Sequence, residues 1–232
     1  MSNETALIVG AGSGLSAALA RLCATRGMSV ALAARGTDKL GDLAAETGAE
    51  TYACDASDPG DVAALFDAVG AAQGDPSLVI YNPSYRQRAP FVELDAEEVR
   101  KSLMITCYGG FLVGQAAAKR MLVAGGGSIQ FTGASASVKG YKLSAPFAMG
   151  KFGLRGLAQS MARELAPENI HVAHFIIDGG IEKDGGHPRA QNAGEDGLLD
   201  PDAIAQTYLQ IHDQHRSAWT WEVELRPWTE NF

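Results

Sequence analysis

Thr5-Ala6-Leu7-Ile8-Val9-Gly10-Ala11-Gly12-Ser13-Gly14-Leu15-Ser16 decides the fold. An apolar run of strand length stops at a glycine-rich turn, and an alanine-rich segment of helical period begins at once. In that order the three pieces make a phosphate cradle. Glycines let the backbone come close to a pyrophosphate, whose charge meets the unpaired N–H groups and positive dipole end of the helix. Gly10, Gly12, Ser13, Gly14 and Leu15 are the expected contacts of a dinucleotide.

Outward from this turn the pattern repeats. Short β-branched runs near Thr5–Val9, Ser29–Ala33, Thr51–Ala53, Leu78–Tyr81, Ser128–Phe131, His171–Ile176 and Trp219–Leu225 read as strands. Between them, helical period covers Gly14–Arg26, Asp38–Thr47, Pro59–Ala72, Asp95–Val123, Ala148–Ala166 and Pro201–Gln214. The alternation predicts an α/β fold: a Rossmann-type doubly wound parallel sheet of about seven strands with helices on both faces. Residues 1–232 are expected to form one domain.

The second strand ends in Ala33-Ala34-Arg35, where a carboxylate would accept hydrogen bonds from the adenosine ribose. Arg35 can instead pair with a 2'-phosphate, which favours NADP(H), with NAD(H) as the alternative and a solvated loop residue as the plain reading. Asp55, followed by Ala56, is placed to meet the adenine amino group, and Ser57 or Asp58 can cap the next helix.

Bulk properties narrow the partners. A chain of 232 residues, 46% hydrophobic, with net charge -8 and scattered basic residues lacks the clustered positive surface that nucleic acid requires. A small molecule is the expected partner. The polar Met1–Thr5 start carries no signal-peptide pattern, and no run approaches the roughly 18 apolar residues of a membrane span, so a cytoplasmic protein is expected. Cys23, Cys54 and Cys107 are widely spaced among apolar or small residues and read as buried thiols. The histidines His171, His174, His212 and His215 show no third ligand at zinc spacing, so no metal is expected. There is no Gly-x-Ser-x-Gly elbow for hydrolysis.

Several landmarks, in order, resemble the short-chain dehydrogenase/reductase family from Thr5 to about Ile181. Gly10 and Gly14 match its cofactor turn, with Ser16 in place of the last glycine, and Asp55 lies in Cys-Asp-Ala. Tyr81-Asn82-Pro83-Ser84 stands where the family has Asn-Asn-Ala-Gly. Phe111-Leu112-Val113 with Gln115-Ala116-Ala117 is similar to its central helix, and Asp178-Gly179-Gly180 occupies its Pro-Gly turn. The resemblance implies cofactor contacts from Asn82, Lys151, Gly180 and Ile181, and a homodimer or homotetramer.

It also implies a tyrosine, lysine, serine and asparagine at the reacting end. Lys151 is present, but Phe147 stands four residues earlier, where the family has its proton-donating tyrosine. The serine position falls on Ala134, with Ser135 one step away, and the asparagine position on Thr106. A replacement donor would be Tyr85, Tyr141, Lys183 or water, each also explained as a loop anchor or solvated charge.

Three functions follow as expectations. One is an oxidoreductase on a small carbonyl or alcohol, with Phe147, Tyr141, Tyr85 and a lid lining its pocket. Another is a silent dinucleotide sensor or partner subunit, and the third a non-redox lyase or isomerase. The glycine-rich, charged segment about 179–199 reads as the lid, or as a surface loop without a role. Gly109, Gly110, Gly153 and Gly156 are expected on outer helix faces at a subunit contact, or else as packing aids on the sheet. Trp219, Trp221, Val223 and Leu225 are expected on one face of the last strand, packed on the core or another subunit.

Overall fold

The computed structural model describes residues 4–182, 186–188 and 193–230. Its strands are β1 (Thr5–Val9), β2 (Ser29–Ala34), β3 (Glu50–Ala53), β4 (Leu78–Tyr81), β5 (Gly127–Thr132), β6 (Ile170–Ile177) and β7 (Glu222–Leu225). They pair in the order β3-β2-β1-β4-β5-β6-β7, every neighbouring pair parallel. The order reverses between β1 and β4, the switch point at which open α/β sheets take their ligands.

Helices cover both faces, as parallel strands buried on two sides require. They are α1 (Leu15–Thr25), α2 (Gly41–Thr47), α3 (Pro59–Gln73), α4 (Ala96–Leu103), α5 (Gly109–Ala124), α6 (Ala145–Leu165) and α7 (Pro201–His212). Alternate residues of β1 divide the core: Ala6 and Ile8 join Leu19, Phe175 and Tyr208 on one face, while Leu7 and Val9 join Phe66, Val113 and Phe131 on the other. Asp58 caps α3 by accepting from the Asp61 N–H at 2.9 Å, as its position predicts.

Three expectations need correction. The long helix over Asp95–Val123 is broken by a π-helical turn at Met104–Tyr108. Its widened backbone leaves the Ile105 carbonyl to accept from the buried Tyr81 hydroxyl, and Thr106 packs where a Cβ on Gly150 would meet it at 2.9 Å. Gly109, Gly110 and Gly153 do not face outward: added Cβ atoms would run into Tyr81 and Ala56, into Leu154 at 2.5 Å, and into the Cys107 sulfur at 2.8 Å. They permit helix packing, and only Gly156 of the four has open space.

The last strand begins at Glu222, not Trp219. Val223 and Leu225 do pack on the core. Trp219 instead stacks on His171 at 4.7 Å between centroids, its indole N–H held by the Gln214 carbonyl, and Trp221 lies under the Arg155 guanidinium. Finally, only parts of the expected lid can be placed. Leu199 N–H donates to the Gly180 carbonyl and Glu182 N–H to the Leu199 carbonyl, both at 2.8 Å, which ties its two ends together. Lys183 lies outside the described residues.

Candidate active site

Two adjoining cavities open above the carboxyl ends of the strands, sharing Asn82 and Ser84. The first, about 530 Å³, runs from the Gly10 turn past Arg35 and Lys39 to Asp55 and Ala56. Gly10 has φ 83°, and a Cβ there would meet Pro83 at 2.7 Å, so the turn admits glycine alone. Gly14, also at φ 83°, opens α1. A Cβ on Gly12 would meet nothing within 4 Å, so open space lies against backbone at the helix start, as a pyrophosphate needs. Ser13 is exposed there, whereas the Leu15 side chain is buried in the core, which leaves only its backbone for a ligand.

Ser16, which replaces a glycine of the family turn, is buried and anchors it: its hydroxyl donates to the Gly10 carbonyl at 3.1 Å and accepts from the Asn82 amide at 2.7 Å. Asp55 accepts from the Ser57 hydroxyl at 2.6 Å and backbone N–H at 2.9 Å. These bonds hold its carboxyl below the usual range. Lys39 beside Arg35 was not singled out from sequence, since it belongs to the following helical turn.

The second cavity, about 650 Å³, brings together Ser135, Tyr141, Phe147, Lys151, Gly180 and Ile181. Lys151, only 2% exposed, donates to the Thr132 carbonyl at 2.6 Å, and its ammonium lies 5.9 Å from the Phe147 ring centroid. Burial pushes its pKa down to about 7, so this lysine titrates near neutrality. Tyr85 does not line this cavity. Its hydroxyl donates to Glu98 and Lys101 sits 4.6 Å over its ring, which corrects its place among the pocket residues and proton donors.

Sequence reasoning missed five charged residues of the lining: Arg86, Arg88, Lys142, Asp178 and Glu230. Arg86 lies with its guanidinium carbon 4.8 Å from the Phe147 ring centroid. Asp178 is 4% exposed, and its Oδ2 has no hydrogen-bond partner among the described residues, the Lys139 ammonium standing 3.9 Å away. The spacing Arg86-x-Arg88 just after a strand end was the available signal.

Behind the cavity wall runs a polar chain, buried at His174 and Ser137 and partly solvated at Arg155 and Glu222. Arg155 donates twice to Glu222, at 2.6 and 2.8 Å, Glu222 pairs with His174 Nδ1 at 3.1 Å, and His174 Nε2 meets the Ser137 hydroxyl at 3.3 Å. Ser137 in turn accepts from the Ala134 N–H at 3.2 Å. Burial drives the His174 pKa down to about 4 against the pull of Glu222, so the ring is neutral at pH 7 and its tautomer is set by donation to the carboxylate. Burial works against the Glu222 carboxylate, yet the Arg155 fork carries it below its usual value.

Cys23 and Cys54 are buried and Cys107 partly so. Burial pushes their thiols up, Cys23 to about 12, which makes them packing groups. Among the described residues no cluster of three metal-ligating side chains occurs, and no helix is long and apolar enough to cross a membrane.

Sheet order, glycine turn and paired cavities define a dinucleotide-binding α/β protein. The short chain dehydrogenase family model matches residues 4–190, and the chain belongs to that family of nicotinamide-dependent oxidoreductases. D-threitol dehydrogenase of Mycolicibacterium smegmatis is 32% identical over 177 residues, 74% of this chain and 68% of that relative. A crystal structure of a short-chain dehydrogenase from Rhodopseudomonas palustris matches with TM-score 0.85 and 37% identity, covering 98% of this chain and 100% of that one. A metagenomic short-chain oxidoreductase in complex with NADP matches with TM-score 0.85 and 27% identity, covering 98% of each chain. The oxidoreductase expectation is thereby favoured over the silent sensor and the lyase or isomerase.

Proposed function

We propose that this protein is an NADP(H)-dependent oxidoreductase that interconverts a small carbonyl compound and its alcohol, with Phe147 at the family's tyrosine position and the proton exchanged elsewhere. The observation that carries the reading is Lys151, buried in the second cavity one helical turn after Phe147, with that cavity joined to the glycine turn through Asn82 and Ser84. Arg35 and Lys39 would favour the 2'-phosphate form of a nicotinamide dinucleotide, Asp55 and Ala56 would hold its adenine and Lys151 its nicotinamide ribose, and the bound group would supply the hydride.

Ser135 orients the substrate oxygen, and Tyr141, which also lines the cavity, exchanges the proton through its hydroxyl. Asp178 is a second candidate for that exchange, because its buried Oδ2 has no hydrogen-bond partner among the described residues. A homodimer or homotetramer is supported by the exposed Phe111, Met149 and Phe152 on α5 and α6 rather than by the glycines.

The test is nicotinamide fluorescence on titration with NADPH and NADH, followed by NADPH consumption with aldehydes and ketones. Tighter NADPH binding, with turnover lost in Lys151→Ala and reduced in Tyr141→Phe or Asp178→Asn, is the expected result. Binding without consumption across the panel would sink the oxidoreductase reading.

A further inference from the structure

The cofactor's own charges account for the cations of the first cavity but not for those of the second. Arg35 and Lys39 belong to the adenosine side, and the backbone at Gly12 serves the pyrophosphate. The nicotinamide end has no anion to offer, and in its oxidised form it carries a positive charge. Yet among the described residues the second cavity is lined by Arg86, Arg88 and Lys142 besides Lys151, with Asp178 and Glu230 as the acidic residues of that lining, in a chain whose net charge is -8. Asp178 already has the Lys139 ammonium at 3.9 Å. An excess of positive charge at this one place, against the sign of the whole molecule, focuses an anionic ligand there.

The three outer cations come from two loops. Arg86 and Arg88 alternate along the segment after β4, and Lys142 lies in the turn before α6. Phe147 fixes one of them in place, since the Arg86 guanidinium sits 4.8 Å from its ring centroid. Stacking on an aromatic face pre-orients a guanidinium fork, whose in-plane donors suit the two oxygens of a carboxylate or phosphate.

We infer that the substrate carries an anionic group, a carboxylate or a phosphate ester, held by Arg86, Arg88 and Lys142 while its reacting carbon lies toward Lys151. This rests on the oxidoreductase reading and names its substrate class. It also gives Phe147 a purpose, as the platform that steadies Arg86.

The experiment is calorimetric titration of the NADP⁺-loaded protein, which reads binding whether or not any turnover is found. Cyclohexanecarboxylate is compared with cyclohexanecarboxamide, and phenyl phosphate with phenol. At least one anion is expected to bind about tenfold or more tighter than its neutral partner, and the better of the two tells carboxylate from phosphate. That advantage is expected to shrink in high salt and to disappear in the Arg86→Gln/Arg88→Gln variant, while NADPH affinity stays at the wild-type value as the control for folding. Equal affinity for acid and neutral partner, no binding of either anion, or a preference that survives the double substitution each overturns the inference. NADPH consumption on neutral ketones alongside such a result would leave the oxidoreductase reading standing.

Discussion

Above β1 and β2 the ligand-facing surface is mostly backbone: Gly10 and Gly14 at positive φ, open space at Gly12, and a Ser16–Asn82 link bracing the turn. Above β5 and β6 it is side chain: Phe147, Lys151, Tyr141 and Asp178, with arginines brought in from the loop after β4. A backbone cradle tolerates little change, since a Cβ at Gly10 would strike Pro83 at 2.7 Å. A side-chain site can lose a hydroxyl without disturbing the packing around it. Phe147, 9% exposed on α6, has a ring of tyrosine's shape without the hydroxyl, so the proposed loss of a proton donor there leaves the packing unchanged.

Returning that hydroxyl is the strongest way to break the contrast. Phe147→Tyr places a phenol one turn before Lys151, and the rate of NADPH consumption is expected to rise by about 10²-fold or more, the usual contribution of a general acid. Steady-state rates at saturating cofactor check this. No gain would mean that the proton path already in place is as good as a tyrosine. Lys151→Ala acts on both halves at once, and a loss of about 10²-fold in kcat/KM is expected, with weaker NADPH binding measured separately by fluorescence.

On the cofactor side the effects are smaller. Arg35→Ala is expected to cost NADPH about 10- to 100-fold in affinity, matching the loss of a charge-assisted pair, while leaving NADH nearly unchanged. Paired titrations read this directly, and equal losses for both dinucleotides would remove Arg35 from 2'-phosphate recognition. Glu222→Gln breaks the Arg155–Glu222–His174 chain behind the second cavity. Because Arg155 and Glu222 are both partly solvated, a loss of about 1–3 kcal/mol is expected in urea unfolding, with NADPH affinity retained.

A further effect is one of pH. Lys151, ordinarily near 10.5, falls to about 7 on burial, so the unfolded chain keeps a proton that the folded chain releases. Stability of the cofactor-free protein should therefore rise with pH above about 7, approaching about 1.4 kcal/mol per unit before the unfolded lysine titrates. Lys151→Met should flatten that slope between about pH 7 and 8.5, and an unchanged slope would assign it to another group.

The unequal legibility of the two regions has the same physical root. The glycine turn, the strand alternation and the Asp58 cap are local, and β1 and β4 lie where their apolar runs predict. What escaped depends on distant contacts. The π turn at Met104–Tyr108 answers to Tyr81 and Gly150, and the inward packing of Gly109 and Gly110 answers to β4 and α6. Tyr85 was placed in the pocket from its position after β4, yet Glu98 draws its hydroxyl away. Asp178 gave no sign in sequence that a buried oxygen would lack a hydrogen-bond partner among the described residues, since that follows from which loops meet above β6.

Titration of the purified protein with NADPH and NADH under nicotinamide fluorescence tests most directly whether an NADP(H) cradle is joined to a reacting end that works without a tyrosine at Phe147. Saturable binding of NADPH, tighter than NADH and tight in Phe147→Tyr to the same degree, is the predicted result. Failure of both dinucleotides to bind, or NADH binding more tightly, would contradict it.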